Sequence, residues 1–452
     1  MLKPIIVCVL VALAACDFED DPLAPDAPVG RSVGTPPNIL VFLTDDMRWD
    51  DTLPIPRIRQ RIGAEGMTFT RAITTTSLCC PSRTSILRGQ YAHNHKVKHN
   101  RLPLGGWDMA QSLGLESSTL ATWLSGAGYT TAWIGKYLNG YDDPGYVPPG
   151  WDEWVAMRPG YRHYEVMRNG TLEPVPDAAY STALVQRFGT GFIRSAPQPW
   201  MAMMVFYAPH LPSIPPGRYD GAYKGIAPNR PPSFNLPNDI SATHRLSPER
   251  VAVLDRVRRQ RLETLLAVDE AVGAVLDSLE AWGQLDNTII MFTSDNGYLL
   301  GEHALSSKNK PYEESYRVPM MIRGPGVLPG STSSALVANI DIAPTLADYG
   351  GAATPSFVDG RSMRPLLEGG SAWRTALLIE HWTEDADNKG VVRASRTFVE
   401  WSNGLRELYD LSVDPYQLNN LAGIESASTL RPFLTALRSC SGQECRDGDG
   451  GP

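Results

Sequence analysis

Histidine and cysteine are scarce in this chain, eight and six among 452 residues, and no closely spaced set of them has zinc spacing. Basic residues are outnumbered, 41 against 49 acidic, and a net charge of −8 argues against nucleic-acid binding, which rests on neutralising phosphates. No internal repeat and no heptad array is present. Charged residues make up only 20%, yet hydrophobic residues at 42%, with 11 Trp, 17 Tyr and 11 Phe, exclude a mostly disordered chain. The 40 Gly and 37 Pro predict many ordered loops, where binding and catalytic groups tend to sit. At ~150 residues per domain the length allows up to three domains, or one large α/β domain with a small companion.

The apolar run at residues 4–15 is 12 residues long, short of the ~20 that a spanning helix needs, and it matches the core of a signal peptide. It ends Leu13-Ala14-Ala15-Cys16, which resembles the lipobox of bacterial lipoproteins, in which the cysteine is acylated. Residues 16–36 are acidic and Pro-rich (Asp17, Glu19, Asp20, Asp21, Pro22, Pro25, Asp26) and read as a solvated tether. The expectation is an exported lipoprotein, held by a lipid on Cys16 to a membrane and facing the periplasm or cell exterior. Cys440 and Cys445 suit a small disulfide loop in such a compartment. Cys79 and Cys80 are adjacent, too close for an ordinary disulfide, and need another explanation.

Apolar runs of strand length at residues 38–44, 129–134, 200–207 and 287–293 alternate with helix-like segments, notably 116–126 and 247–282. This pattern predicts an α/β fold with a mostly parallel sheet. Ser247-Pro248-Glu249 opens the long helix with a capping residue, a proline at the first position and an early acid. The strands lead into residues that carry chemistry: Asp45-Asp46, Gly135-Lys136, Pro209-His210 and Ser294-Asp295-Asn296-Gly297. Ligand sites of open α/β sheets lie at the carboxyl ends of strands, so these groups are expected to converge. Asp45, Asp46, Asp295 and Asn296 are hard oxygen donors, suited to one Ca²⁺ ion with Mg²⁺ as the alternative. From residue 376 the pattern changes to short antiparallel strands at 376–380, 391–401 and 406–411, then a helix near 427–437. The expected organisation is a signal over 1–15, a tether over 16–36, a catalytic domain over 37–375 and a C-terminal subdomain over 376–452.

Cys79-Cys80-Pro81-Ser82-Arg83, followed by Thr84-Ser85-Ile86-Leu87-Arg88-Gly89, resembles the Cys-X-Pro-Ser-Arg signature of type I sulfatases. Asp45-Asp46, Pro209-His210-Leu211-Pro212, Asp295-Asn296-Gly297, Lys308 and Asp359-Gly360-Arg361 resemble further landmarks of that family. The resemblance implies an alkaline-phosphatase-like α/β sandwich with a small C-terminal antiparallel sheet. It also implies that Cys79 becomes formylglycine through a formylglycine-generating or anaerobic sulfatase-maturing enzyme, its hydrated aldehyde attacking sulfur. Cys79 then joins the metal ligands, Arg83, Lys136 and Lys308 bind sulfate charge, and His210 is the general acid, since imidazole exchanges protons near neutrality. His93, His95 and His303 lie near the motifs, each readable equally as a packing residue.

Two positions depart from the pattern. Arg88 stands where the family has threonine, and Leu138 where many members have the histidine of Gly-Lys-Trp-His. Gly135-Lys136-Tyr137-Leu138-Asn139, the Cys-Cys pair and His93-Asn94-His95 instead resemble the N-acetylglucosamine-6-sulfatase branch. The expected substrate is therefore a sulfated carbohydrate such as N-acetylglucosamine 6-O-sulfate. An arylsulfatase or a phosphonate or phosphate ester hydrolase of the same superfamily is the alternative. Glu380 is placed to reach sugar hydroxyls or to serve as an ordinary strand residue.

Overall fold

A computed structural model describes residues 36–238, 244–383 and 386–451. The lipobox and most of the tether lie outside them. Residues from Pro36 onward form one compact unit.

Its centre is the strand Asn38–Thr44, all seven residues buried, because layers of helix cover both faces of the sheet. It pairs in parallel with Trp200–Val205 on one side and Thr288–Ser294 on the other. Thr130–Gly135 and then Glu153–Met157 extend the parallel sheet outward. The ten-stranded sheet is completed by Val166–Arg168 and Thr171–Glu173 at one edge and by Met320–Arg323, Met67–Phe69 and Ser331–Ser333 at the other. Met320–Arg323 runs antiparallel to both its neighbours, so the sheet is mixed only towards its edges.

Alternation along the central strand divides the core. Ile39, Val41 and Leu43 pack with Leu120, Leu124 and Leu346 on one face, while Leu40 and Phe42 pack with Val268, Val272 and Leu276 on the other. The latter three belong to the helix Pro248–Ala281, which starts as its sequence predicts: the Ser247 hydroxyl accepts from Arg250 N–H at 3.3 Å. The segment predicted as one helix over 116–126 is instead a short 3₁₀ turn, Leu115–Ser117, then the helix Leu120–Gly126. The break falls at Ser118-Thr119, where Thr119 makes a capping box with Thr122.

The C-terminal sheet has four antiparallel strands, Ala376–His381, Asn388–Arg393, Arg396–Trp401 and Arg406–Asp410. The run predicted as one strand over 391–401 is a hairpin, turning at Ala394-Ser395, because its apolar positions pair Val391 with Phe398 across two strands. The predicted helix near 427–437 is shorter, Arg431–Leu437, and the Cys440–Cys445 disulfide lies just beyond it. Glu380 and His93 join this sheet to the short helix Ala92–His95: Glu380 accepts from His93 N–H at 2.9 Å and meets its Nδ1 at 3.1 Å, while His93 Nε2 meets Cys440 O at 2.9 Å. Glu380 is fully buried, which corrects the expectation that it could meet sugar hydroxyls. Among the described residues no helix is long and apolar enough to cross a membrane.

Burial opposes both charges of this pair, yet the mutual contact lowers the Glu380 carboxyl to about 2 and raises His93. The lowered carboxylate stabilises above its unfolded value of ~4.5 and loses that contribution as pH falls towards about 2. The raised imidazole stabilises fully below ~6.5 and loses its contribution as pH rises through its folded value. Glu380→Gln should therefore cost about 3 kcal/mol near pH ~5.5 and less near pH ~9. Thermal unfolding at both pH values tests this; an equal loss at both would contradict the ion pair.

Candidate functional site

The site forms where the parallel strands end. Asp45 and Asp46 follow the central strand, Asp295 and Asn296 follow Thr288–Ser294, and Lys136 follows Thr130–Gly135. His210 lies five residues past Val205. Gly135 adopts φ 123° and lies so close to the next strand that a Cβ would fall 1.8 Å from Val205 O, so this strand end requires glycine. Asp46 also has positive φ, at 72°, a conformation aspartate tolerates better than most residues.

Cys79 opens the helix Cys79–Arg88, all of whose residues are buried. Such a helix, with Ser82, Arg83, Thr84 and Ser85 inside the protein, requires polar partners. Ser82 meets Asn339 at 2.9 Å, Thr84 meets Cys80 O at 2.9 Å and Ser85 meets His95 at 3.0 Å. Arg83 is fully buried and donates to Asp295 at 2.8 Å, Asp45 at 3.1 Å and Lys136 O at 2.6 Å. Cys79 Sγ lies 3.3 Å from Asp45 Oδ1, 2.7 Å from Lys308 Nζ and 3.6 Å from Lys136 Nζ. Lys136 also pairs with Asp45 and Lys308 with Asp46.

The nine expected site residues, Asp45, Asp46, Cys79, Arg83, Lys136, His210, Asp295, Asn296 and Lys308, thus meet in one cluster. Leu138, a departure from the family pattern, lies in the apolar core. Asn296 Nδ2 donates to Asp46 Oδ1 at 2.6 Å, and Asp46 N–H to Asp295 Oδ1 at 3.1 Å. His210 Nε2 stands 3.7 Å from Asp46 Oδ2, and its Nδ1 donates to Leu211 O at 2.6 Å, which leaves Nε2 to face the carboxylates.

Burial would raise the Asp45 carboxyl, but Lys136, His210, Arg83 and Lys308 hold it well below the usual range. Burial and Asp45 push the Cys79 thiol up to about 12. An unmodified Cys79 is therefore a poor nucleophile at neutral pH. Lys136 and Lys308 are raised despite burial, Lys136 by Asp45 and Lys308 by Asp46, so both ammoniums stay charged.

The donor set fits a hard divalent cation. Ligand atoms of Asp45, Asp46, Cys79 and His210 lie within 4.8 Å of one another. Asp46 Oδ2 and Asn296 Oδ1 are buried acceptors with no hydrogen-bond donor, a costly state that a cation would relieve.

Other candidates have structural places. His95 is buried and lowered to about 3 by desolvation, and His303, lowered to about 4 by the same cause, stacks on Tyr312 at 4.1 Å. Arg88, the departure at the motif's edge, donates to Ser118 O at 2.7 Å and covers the Phe357 ring at 4.4 Å. Sequence reasoning missed Arg261. From the long helix this buried guanidinium donates to Asp46 O and, at 3.3 Å, to Pro209 O, tying the two loops that carry Asp46 and His210. Arg256, Arg258, Arg259 and Arg261 together look like a solvated basic face, so no local signal separates it.

A profile of the sulfatase family matches residues 37–352, and one of the N-sulphoglucosamine sulphohydrolase C-terminal region matches 301–438. The chain is 33% identical to N-acetylglucosamine-6-sulfatase of Capra hircus, over 91% of this chain and 85% of that one. It is 32% identical to the human protein of the same name, over 92% and 87%. A solved structure described as a complex with its substrate D-glucosamine-2-N,6-O-disulfate superposes with TM-score 0.77 and 26% identity, over 92% and 99% of the two chains.

Ca²⁺ added to ion-free protein should raise its thermal midpoint, by about 2.7 kcal/mol of stability at a hundredfold excess over Kd. Asp46→Ala should abolish that shift. An unchanged shift in the variant would place the ion elsewhere.

Proposed function

The chain belongs to the sulfatase family and hydrolyses sulfate esters of carbohydrates, and from that premise we propose that it removes the 6-O-sulfate of N-acetylglucosamine. The observation that carries this reading is the placing of Cys79 Sγ among Asp45, Lys136 and Lys308 at the focus of four strand ends. Likeness to N-acetylglucosamine-6-sulfatases over nine tenths of the chain supports the substrate class. Cys79 is the residue to be converted to formylglycine, whose hydrate supplies a hydroxyl nucleophile in place of a thiol held at about 12. One Ca²⁺, with Mg²⁺ as the alternative, supplies positive charge for the sulfate oxygens and is held by Asp45, Asp46, Asp295 and Asn296 beside residue 79.

The chain's own residues then divide the work. Arg83 has its donors engaged by Asp45, Asp295 and Lys136 O, so it fixes the carboxylates rather than touching sulfate. Lys136 and Lys308 now neutralise Asp45 and Asp46. With a cation held by those carboxylates, Lys136 and Lys308 would be free to turn their ammoniums to sulfate oxygens. His210 is partly exposed, with Nε2 directed to the cluster, and delivers its proton to the departing sugar oxygen. A primary sugar alkoxide is a poor leaving group, so this proton transfer matters more than it would for an aryl sulfate.

His210→Ala should lower kcat on 6-sulfated N-acetylglucosamine by about 100-fold or more, and far less on nitrophenyl sulfate, whose phenolate needs little protonation. Equal losses on the two substrates would remove the acid role. Sugar sulfates that are inert beside a rapidly cleaved aryl sulfate or aryl phosphonate would overturn the substrate class.

A further inference from the structure

One imidazole of the C-terminal sheet stands behind the reacting centre. His381 ends the strand Ala376–His381 and is fully buried. Asn388 opens the next strand directly opposite it, so the two side chains share one face, and Asn388 Oδ1 lies 2.9 Å from His381 Nδ1. An amide oxygen only accepts, so Nδ1 carries the ring proton and Nε2 is left as an acceptor. Burial lowers the imidazole to about 4, which keeps it neutral around pH ~7. Ser77 Oγ lies 2.9 Å from Nε2 and donates to it. With its proton so engaged, Ser77 Oγ accepts from Ser315 Oγ at 2.8 Å, and Ser315 Oγ accepts in turn from Lys310 N–H at 3.3 Å. The hydrogen bonds thus run one way, from Lys310 through Ser315 and Ser77 to His381 and Asn388, and each polarises the next.

A hydroxyl, an imidazole and an amide in this order have the spacing of a nucleophile with its base and orienting group. Ser77 and His381 are fully buried, however, and the hydroxyl is held from both sides, so it meets no substrate. What matters is where the chain leads from each member. Ser77 stands two residues before Cys79, and its carbonyl accepts from the N–H of Asn309, the neighbour of Lys308, at 2.9 Å. Ser315 O accepts from the N–H of Gly297, the neighbour of Asn296, at 2.9 Å. That approach is close enough to require glycine, since a Cβ on Gly297 would fall 2.3 Å from Glu314 O. Glu380 N–H donates to Thr75 O at 2.8 Å, so the backbone of the C-terminal sheet grips the same loop as the His381 ring. The segments that carry Cys79, Lys308 and Asn296 therefore share one buried relay, and the relay ends in the second sheet.

We propose that His381 is a positioning residue: through Ser77 and Ser315 it fixes residue 79 against Lys308 and Asn296, and so makes the C-terminal sheet part of the catalytic apparatus. This role rests on the sulfatase reading above and deepens it. Cys79 Sγ and Lys308 Nζ come from segments far apart in sequence yet lie 2.7 Å from each other. A displacement of ~1 Å at such a contact is enough to cost about 100-fold in rate.

The test compares His381→Ala, His381→Gln, Ser77→Ala and the double variant of His381→Ala with Ser77→Ala, on both 6-sulfated N-acetylglucosamine and nitrophenyl sulfate. Rates are expressed per folded molecule whose residue-79 peptide has the wild-type mass, so that losses in folding or maturation do not count. His381→Ala should lower kcat about 100-fold on both esters with KM within about twofold, because it disturbs the nucleophile they share and not the acid that only the sugar needs. His381→Gln, which keeps a neutral hydrogen-bonding group in place, should recover about tenfold of that loss. Ser77→Ala should lower kcat by about tenfold, and the double variant should be no slower than His381→Ala, since both changes break one relay. An unchanged kcat in Ser77→Ala, or losses that multiply in the double variant, would overturn the relay, and Ser77→Ala decides alone if His381→Ala does not fold. A wild type inert on the sugar sulfate but active on nitrophenyl sulfate would overturn the substrate reading, and the variants then decide the relay on the aryl ester.

Discussion

Three carboxylates and three cations share one buried volume: Asp45, Asp46 and Asp295 against Arg83, Lys136 and Lys308, none more than about a tenth exposed. Each charge alone would be prohibitively costly to desolvate, so the set is stable only when complete and closely paired. This requirement shapes what surrounds it. The strands must end together for the charges to meet, and the helix bearing Cys79 must be buried along its whole length. Arg261 must reach from the opposite layer to hold the Asp46 and Pro209 carbonyls. On the proposed function, the same balance would let the site take an ion and a sulfate together: carboxylates and ammoniums now neutralise each other, and each would find a new opposite charge.

Much of this was legible in the sequence because it depends on local patterns. A fully apolar strand must be covered on both faces, and the residue after it falls at the sheet's carboxyl edge. Strand ends alone therefore assign Asp45, Lys136, His210 and Asp295 to one place. The Cys-X-Pro-Ser-Arg motif singles out Cys79 and Arg83, although it suggests sulfate contact for Arg83 where the fold gives carboxylate contact.

The features that escaped depend on tertiary partners. Arg261 is chemically indistinguishable in sequence from its arginine neighbours. Glu380 and His93 form a buried pair 287 residues apart, and no spacing rule links them. The hairpin at Ala394-Ser395 carries neither glycine nor proline, so the two strands it joins read as one.

The proposed conversion of residue 79 to formylglycine accords with a thiol that burial and Asp45 push up to about 12. Peptide mass spectrometry of active enzyme measures this directly. The expected result is CHO in place of CH₂SH at residue 79, with Cys80 unchanged. An unmodified cysteine at 79 in fully active protein would contradict it.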